Sequence, residues 1–188
     1  MAHLLTQALD DFVTDFLTLC QEQGFPSAEF ESAWPSPCYR QTGQPGDLLT
    51  WQPVRQDEER RPGEDMFARL AQALEVELHP DLITFYSRYW SDPLPAQAPD
   101  GELLLLQVWN EEDLERLRGN LIGHALDKQR RRLPLTWFVA IAQPDDDLVI
   151  SLNNDDGSIW LEKPGKAPHY RLADSLADFI RDLTPLAL

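Results

Sequence analysis

Positive charge is scarce in this sequence, and its first 39 residues contain neither Lys nor Arg. Over 188 residues, 16 Lys and Arg face 32 Asp and Glu, a formal net charge of −16. Such a surface repels nucleic-acid phosphate, whose binding rests on Lys and Arg. It also repels anionic lipid headgroups. It favours encounter with a basic partner, because opposite long-range fields raise association rates. The bland alternative is that acidity serves solubility alone. Cysteine is sparse too: Cys20 and Cys38 form no C-x-x-C pair and have no histidine at ligand spacing. That excludes a disulfide framework and a zinc site of the usual kind. Long apolar runs are missing, the strongest being Leu103 to Leu106, far too short to span a bilayer. The N-terminus lacks the basic residues of a signal or transit peptide and meets Asp10 and Asp11 early. The expectation is a soluble, cytoplasmic chain.

Apolar residues make up 43% and aromatics 10%, which excludes a disordered chain. The length suits one domain, residues 1–188, with a core large enough to need no metal or disulfide. Residues 4–22 read as an amphipathic helix. Leu5, Leu9, Phe12, Phe16 and Cys20 form its apolar stripe, widened by Val13 and Leu17. Asp11, Asp15 and Glu22 fall on the opposite face, and Gly24 and Pro26 stop the helix.

Trp34 to Cys38 is too proline-rich for a helix, Leu48 to Gln52 reads as a short strand, and 54–65 as a polar loop. A second helix is predicted over 64–76, with Met66, Leu70, Ala73 and Leu74 inward. A third is predicted over 81–90, with Leu82, Phe85, Tyr86 and Tyr89 on its apolar side. Ser91 to Gly101 contains Pro93, Pro95 and Pro99 and reads as a connector. Leu103 to Trp109 reads as a buried strand. Asn110 caps a helix that runs through Leu114, Leu117, Leu121, Ile122 and Leu126 to the cations 128–132. Strands follow at 136–142, 148–152 and 158–162, with Asp156-Gly157 as a hairpin signal. A last helix covers about 174–183. The fold class is α+β, a largely antiparallel sheet packed against several helices.

No nucleotide-binding glycine loop and no nucleophile elbow occurs. Asn153 to Gly157 fails as a calcium loop, because Leu152 and Lys163 stand where ligands are required. Asp145 to Asp147 reads as a solvated turn. His124 lies at the border of an apolar helix face and reads as a satisfied, half-buried histidine rather than a catalytic base. Gly119 and Gly123 in the same helix point to close backbone packing. Cys20 belongs to the core, whereas Cys38 reads as a residue able to be exposed. No enzyme, metal or cofactor is expected. The acids cluster at 10–31, 57–59, 111–115 and 145–147. Thirteen arginines against three lysines imply cations held in fixed pairs, leaving acidic patches unbalanced.

Several motifs share an order with one known family. They are Gln7-Ala8-Leu9 with Asp11-Phe12, Pro35-Ser36-Pro37-Cys38, Trp51-Gln52-Pro53, Leu105-Leu106-Gln107 with Trp109, and Asn120-Leu121-Ile122-Gly123-His124. Lys128, Leu133-Pro134, Thr136 and Phe138 continue the match. In this order they resemble the Syd, or SecY-interacting, proteins from about residue 5 onward, within the wider Smi1/Knr4-like group. The resemblance implies a cytoplasmic gammaproteobacterial protein attached loosely to the inner membrane by binding SecY, the translocation channel. It implies a check on the translocase rather than catalysis. Many members of the wider group neutralise toxins, so an immunity-type protein or DNA mimic that blocks a basic soluble protein is the alternative. Cytoplasmic loops of membrane proteins are rich in Lys and Arg, and an acidic protein fits them. The candidate contact residues are Asp10, Asp11, Asp15 and Glu22, with Asp57, Glu58, Glu59, Glu111, Glu112 and Asp113 as a second set.

Overall fold

The apolar stripe read from the first residues becomes a long helix in the computed structural model, which describes residues 2–144 and 147–187. This helix, α1 (Ala2–Gln23), buries Leu5, Leu9, Phe12, Val13, Phe16 and Cys20. Four short elements follow: β1 (Ser27–Glu29), β2 (Leu48–Thr50), β3 (Val54–Arg55) and α2 (Pro62–Leu74). Then come α3 (Pro80–Ser87), β4 (Tyr89–Trp90), β5 (Leu94–Ala98) and β6 (Gly101–Leu105). The second half contains α4 (Glu111–Arg131), β7 (Thr136–Ala142), β8 (Val149–Asn153) and β9 (Ile159–Glu162). It ends in β10 (Tyr170–Ala173), α5 (Leu176–Arg181) and β11 (Thr184–Pro185).

Seven strands form one antiparallel sheet in the order β10-β9-β8-β7-β6-β5-β11, and two small ribbons pair β1 with β2 and β3 with β4. The fold is thus α+β, with one apolar core. Alternation along the strands divides the sheet's contacts. Leu103, Ile150 and Leu161 face Phe179 and Leu183 at α5. On the other face α4 lies over β7, where His124 meets the ring of Phe138 edge-on. There Lys128 donates to buried Glu162 at 2.9 Å and to the Lys166 carbonyl, and Thr136 donates to the same carboxylate. Removing one partner of such a buried pair would strand a charge, at a cost of roughly 3–5 kcal/mol. His124 is held neutral, since burial depresses its pKa more than the Glu162 charge raises it.

An aromatic chain joins the N-terminal third to the start of α4. Phe16 stacks on Trp51, Trp51 meets Trp109 edge-on at 5.6 Å, and Tyr39 meets Trp109 at 5.2 Å. Each such pair adds about 0.5–1.5 kcal/mol beyond its buried area. Two glycines are needed for close approach. A Cβ on Gly63 would clash with the Ser87 Oγ, so only glycine lets α2 start directly against the end of α3. Gly157 sits in the β8–β9 turn at φ +75, against the His79 ring, as the Asp-Gly signal predicts.

The structure departs from the sequence expectations at several places. The connector at 91–101 contains β5, a strand inside the sheet. Pro95 is tolerated because its carbonyl points toward two-residue β11, accepting from the Leu186 N–H, so its missing donor falls where that partner strand ends. Tyr89 leaves the third helix for β4. In α2, Phe67 is buried and Ala73 exposed, because the helix starts at Pro62 and its buried stripe is Met66, Phe67 and Leu70. β6 ends at Leu105, short of Trp109. Cys38 is fully buried rather than exposed. Gly119 and Gly123 are exposed, with open space where a Cβ would stand, so close packing does not explain them. Of the acidic turn at 145–147, Asp145 and Asp146 lie outside the described residues.

Candidate partner-binding surface

The loop between β3 and α2 is short, polar and pinned at both ends. Gln56 is buried and donates to the Tyr86 and Tyr89 carbonyls at 2.7 and 3.1 Å. The Asp57 carboxylate accepts from the N–H groups of Glu59 and Arg60, a side-chain-closed turn. Arg61 then adopts φ 48 as the residue before α2, and its guanidinium donates to the Glu58 carbonyl. Glu64 and Asp65 stand in the first turn of α2, where acids complement the positive helix end.

The start of α4 is locked as firmly. The Asn110 side chain accepts from the Asp113 N–H at 2.8 Å while Asp113 accepts from the Trp109 N–H at 2.9 Å. This reciprocal pattern satisfies two backbone donors, as a capping box does. Asn110 also donates to the Pro35 carbonyl, and Ser36 donates to the Trp109 carbonyl. The proline-rich segment is thereby fixed beside the helix start.

Arg60 joins the two elements through an ion pair to Glu111 at 2.7 Å. On one side of it lies a cleft of about 450 Å³ between α2 and α4, lined by Asp65, Arg69, Glu111, Glu112 and Glu115 among others. On the other side a second cleft of about 450 Å³ runs past Pro35, Pro37 and Trp90 to the same Glu111 and Glu112. Arg69 pairs with Glu115, whose carboxyl is held below the usual range by that hydrogen bond and by Arg118. A third cleft, of about 250 Å³, is lined by Asp57, Glu58 and Glu64 with Arg61 and Arg88.

The two predicted sets of acids therefore fare differently. Asp57, Glu58, Glu59, Glu111, Glu112 and Asp113 come from the two pinned elements that Arg60 joins. Within that set, Asp57 and Asp113 close turns and caps, and Glu111 and Glu58 pair with arginines. Glu59 and Glu112 are exposed and make no ion pair among the described residues. On α1, Asp11, Asp15 and Glu22 are exposed, with Asp11 accepting from Gln7. Asp10 is different. It is half-buried and accepts from Arg88 at 2.6 and 2.9 Å, from Arg55 at 2.7 Å and from the Tyr89 hydroxyl at 2.8 Å. Its carboxylate holds α1 to β3 and the end of α3. Sequence reasoning missed Glu64 and Asp65, although a Pro-Gly-Glu-Asp helix start was there to signal them.

The Cys38 thiol lies in the core under this region, and burial pushes its pKa to about 12, which keeps it protonated. No helix among the described residues is long and apolar enough to cross a membrane.

The family model of the Syd protein (SUKH-2) matches residues 6–185. The chain belongs to the Syd family. It is 42% identical over 188 residues to Protein Syd of Pseudoalteromonas atlantica, covering 98% of both chains. It is 41% identical over 186 residues to Protein Syd of Alteromonas mediterranea, covering 99% of both. Protein Syd of Shewanella frigidimarina is 36% identical over 187 residues, across 96% of this chain and 82% of that one. The Syd motifs thus have a definite place. Pro35, Ser36 and Pro37 line one of the two Arg60 clefts, Cys38 and Trp109 are buried behind them, and Leu121 and His124 set α4 on the sheet.

Proposed function

We propose that this Syd-family chain binds the Lys- and Arg-rich cytoplasmic loops of SecY. The contact surface is the acidic one formed by the 56–61 loop and the first turns of α2 and α4. It acts there as a regulator or quality check of the translocase, on the cytoplasmic side of the inner membrane, and its membrane association comes through the channel alone. The observation that carries this reading is the set of exposed acids around the two Arg60 clefts. Glu59, Asp65 and Glu112 lack ion pairs among the described residues, on elements fixed by caps and buried anchors. A preformed acidic surface costs little ordering on binding. The exposed acids of α1 form a second contact area that the same experiment examines.

The test is copurification with SecY from detergent-solubilised membranes. Glu59→Lys, Asp65→Lys and Glu112→Lys combined are expected to abolish it with an unchanged melting temperature. Asp11→Lys, Asp15→Lys and Glu22→Lys combined are expected to weaken it less. Full copurification of both triple variants would overturn the reading. Recovery of a basic soluble protein in place of SecY would favour the immunity-type or DNA-mimic alternative.

A further inference from the structure

A concave feature apart from those three clefts lies where α5 covers the sheet. Because α5 has only six residues, it shields the sheet face incompletely. The result is a pocket of about 220 Å³ with a floor of Leu103, Ile150, Leu161 and Leu172 and a wall of Phe179 and Leu183. An engineered apolar cavity of about 150 Å³ already accepts a benzene ring, so this space takes one Leu or Phe side chain. Its mouth is not apolar. Asp100, Glu102 and Asp182 line it, all are exposed, and none makes an ion pair among the described residues. No Lys or Arg among the described residues lines it. It shares no lining residue with the clefts around Arg60.

We infer that this pocket is a docking site for a basic peptide segment that inserts one bulky apolar side chain and sets flanking Lys or Arg residues on the acidic rim. The floor provides the desolvated anchor that dominates peptide affinity. The rim provides sign selection, because three unpaired carboxylates favour cations and disfavour an anionic lipid or an acidic peptide. The inference does not depend on SecY being the partner.

The test uses the full chain and fluorescein-labelled synthetic hexapeptides read by polarisation. One peptide places Leu or Phe between Lys and Arg residues, a second replaces that residue by Ala, and a third keeps Leu between Ser and Gly. The first is expected to bind at least about tenfold more tightly than either of the others, the scale of burying one large apolar side chain. Amide shifts on binding should fall at Leu161, Leu172 and Leu183. Glu102→Lys with Asp182→Lys should remove the preference for the basic peptide, and Ala98→Leu, at the pocket wall, should remove the preference for Leu over Ala. The Glu59, Asp65 and Glu112 reversals should leave both preferences in place. Equal binding of the Leu and Ala peptides, equal binding of the basic and neutral peptides, or loss of binding only in the Glu59, Asp65 and Glu112 variant would overturn the inference.

Discussion

The Asp10 anchor contributes stability that depends on pH. Burial pushes its carboxyl up, but hydrogen bonds from Arg88 and Tyr89 and the charges of Arg88 and Arg55 outweigh that and hold it below the ordinary value. A carboxylate whose folded pKa is depressed stabilises fully above its unfolded value near 3.9. That contribution is lost as pH falls through the lower folded value. Asp10→Asn is therefore expected to cost roughly 1.5–3 kcal/mol at pH 7, the worth of hydrogen bonds to a charged group. It should cost less at pH 3, where the wild type has begun to lose the same contribution. Urea unfolding at the two pH values measures this. An equal loss at both would show that the Arg88 contact does not govern the pKa. Helical angle already keeps Asp10 off the face that Asp11, Asp15 and Glu22 share, but its role appears only when Arg88, 78 positions away, reaches the carboxylate.

At the scale of elements, α4 is bounded by textual signals and yet holds two residues that weaken it. Its cap at Asn110, its acidic first turn and its basic last turn all follow the sequence reading. Gly119 and Gly123 each cost about 0.5–1 kcal/mol against alanine in a helix interior. An added Cβ meets nothing within 4 Å at either position. Gly119→Ala and Gly123→Ala should therefore each raise the unfolding free energy by that amount, seen as a higher urea midpoint, and additively because no clash intervenes. A lower midpoint for either would mean that the exposed glycine backbone has a conformational need the open space does not reveal. Helices were legible here because a period of three to four residues is local and repeated. The strands β5 and β10 were not. The prolines around β5 mimic a connector, and the missing donor of Pro95 is harmless only at the two-residue β11. β10 has four residues on a sheet edge, with Tyr170 and Arg171 exposed, so no buried alternation identifies it. The acidic runs of the candidate surface were visible as runs. Their assembly was not, because it depends on Arg60 meeting Glu111 and Arg69 meeting Glu115 across the packing of α2 on α4.

For the whole molecule, the consequence of 32 acids against 16 Lys and Arg is set by where the cations are used. Arg55, Arg88, Arg60, Arg69 and Arg118 are committed to internal pairs, and Lys128 is buried. Each of these pairs neutralises one acid, and the acids in excess, a formal net charge of −16, dominate the outer field. Binding to a basic loop through the Arg60 clefts should then be sensitive to screening, since the Debye length shortens from about 10 Å at 0.1 M salt to about 3 Å at 1 M. Between about 0.05 and about 0.5 M salt the association rate should fall about tenfold or more, with a smaller change in dissociation rate, because steering acts on encounter. Surface plasmon resonance with SecY held in nanodiscs of zwitterionic lipid separates the two rates. A salt-independent association rate would rule out electrostatic steering as the basis of recognition. The apolar pocket under α5 answers differently to the same titration. Its rim contribution is screened, but the part of peptide affinity that depends on Leu over Ala should survive at high salt, because burial of apolar surface does not weaken there. A salt series run on both ligands therefore assigns each contact to its surface without any mutation.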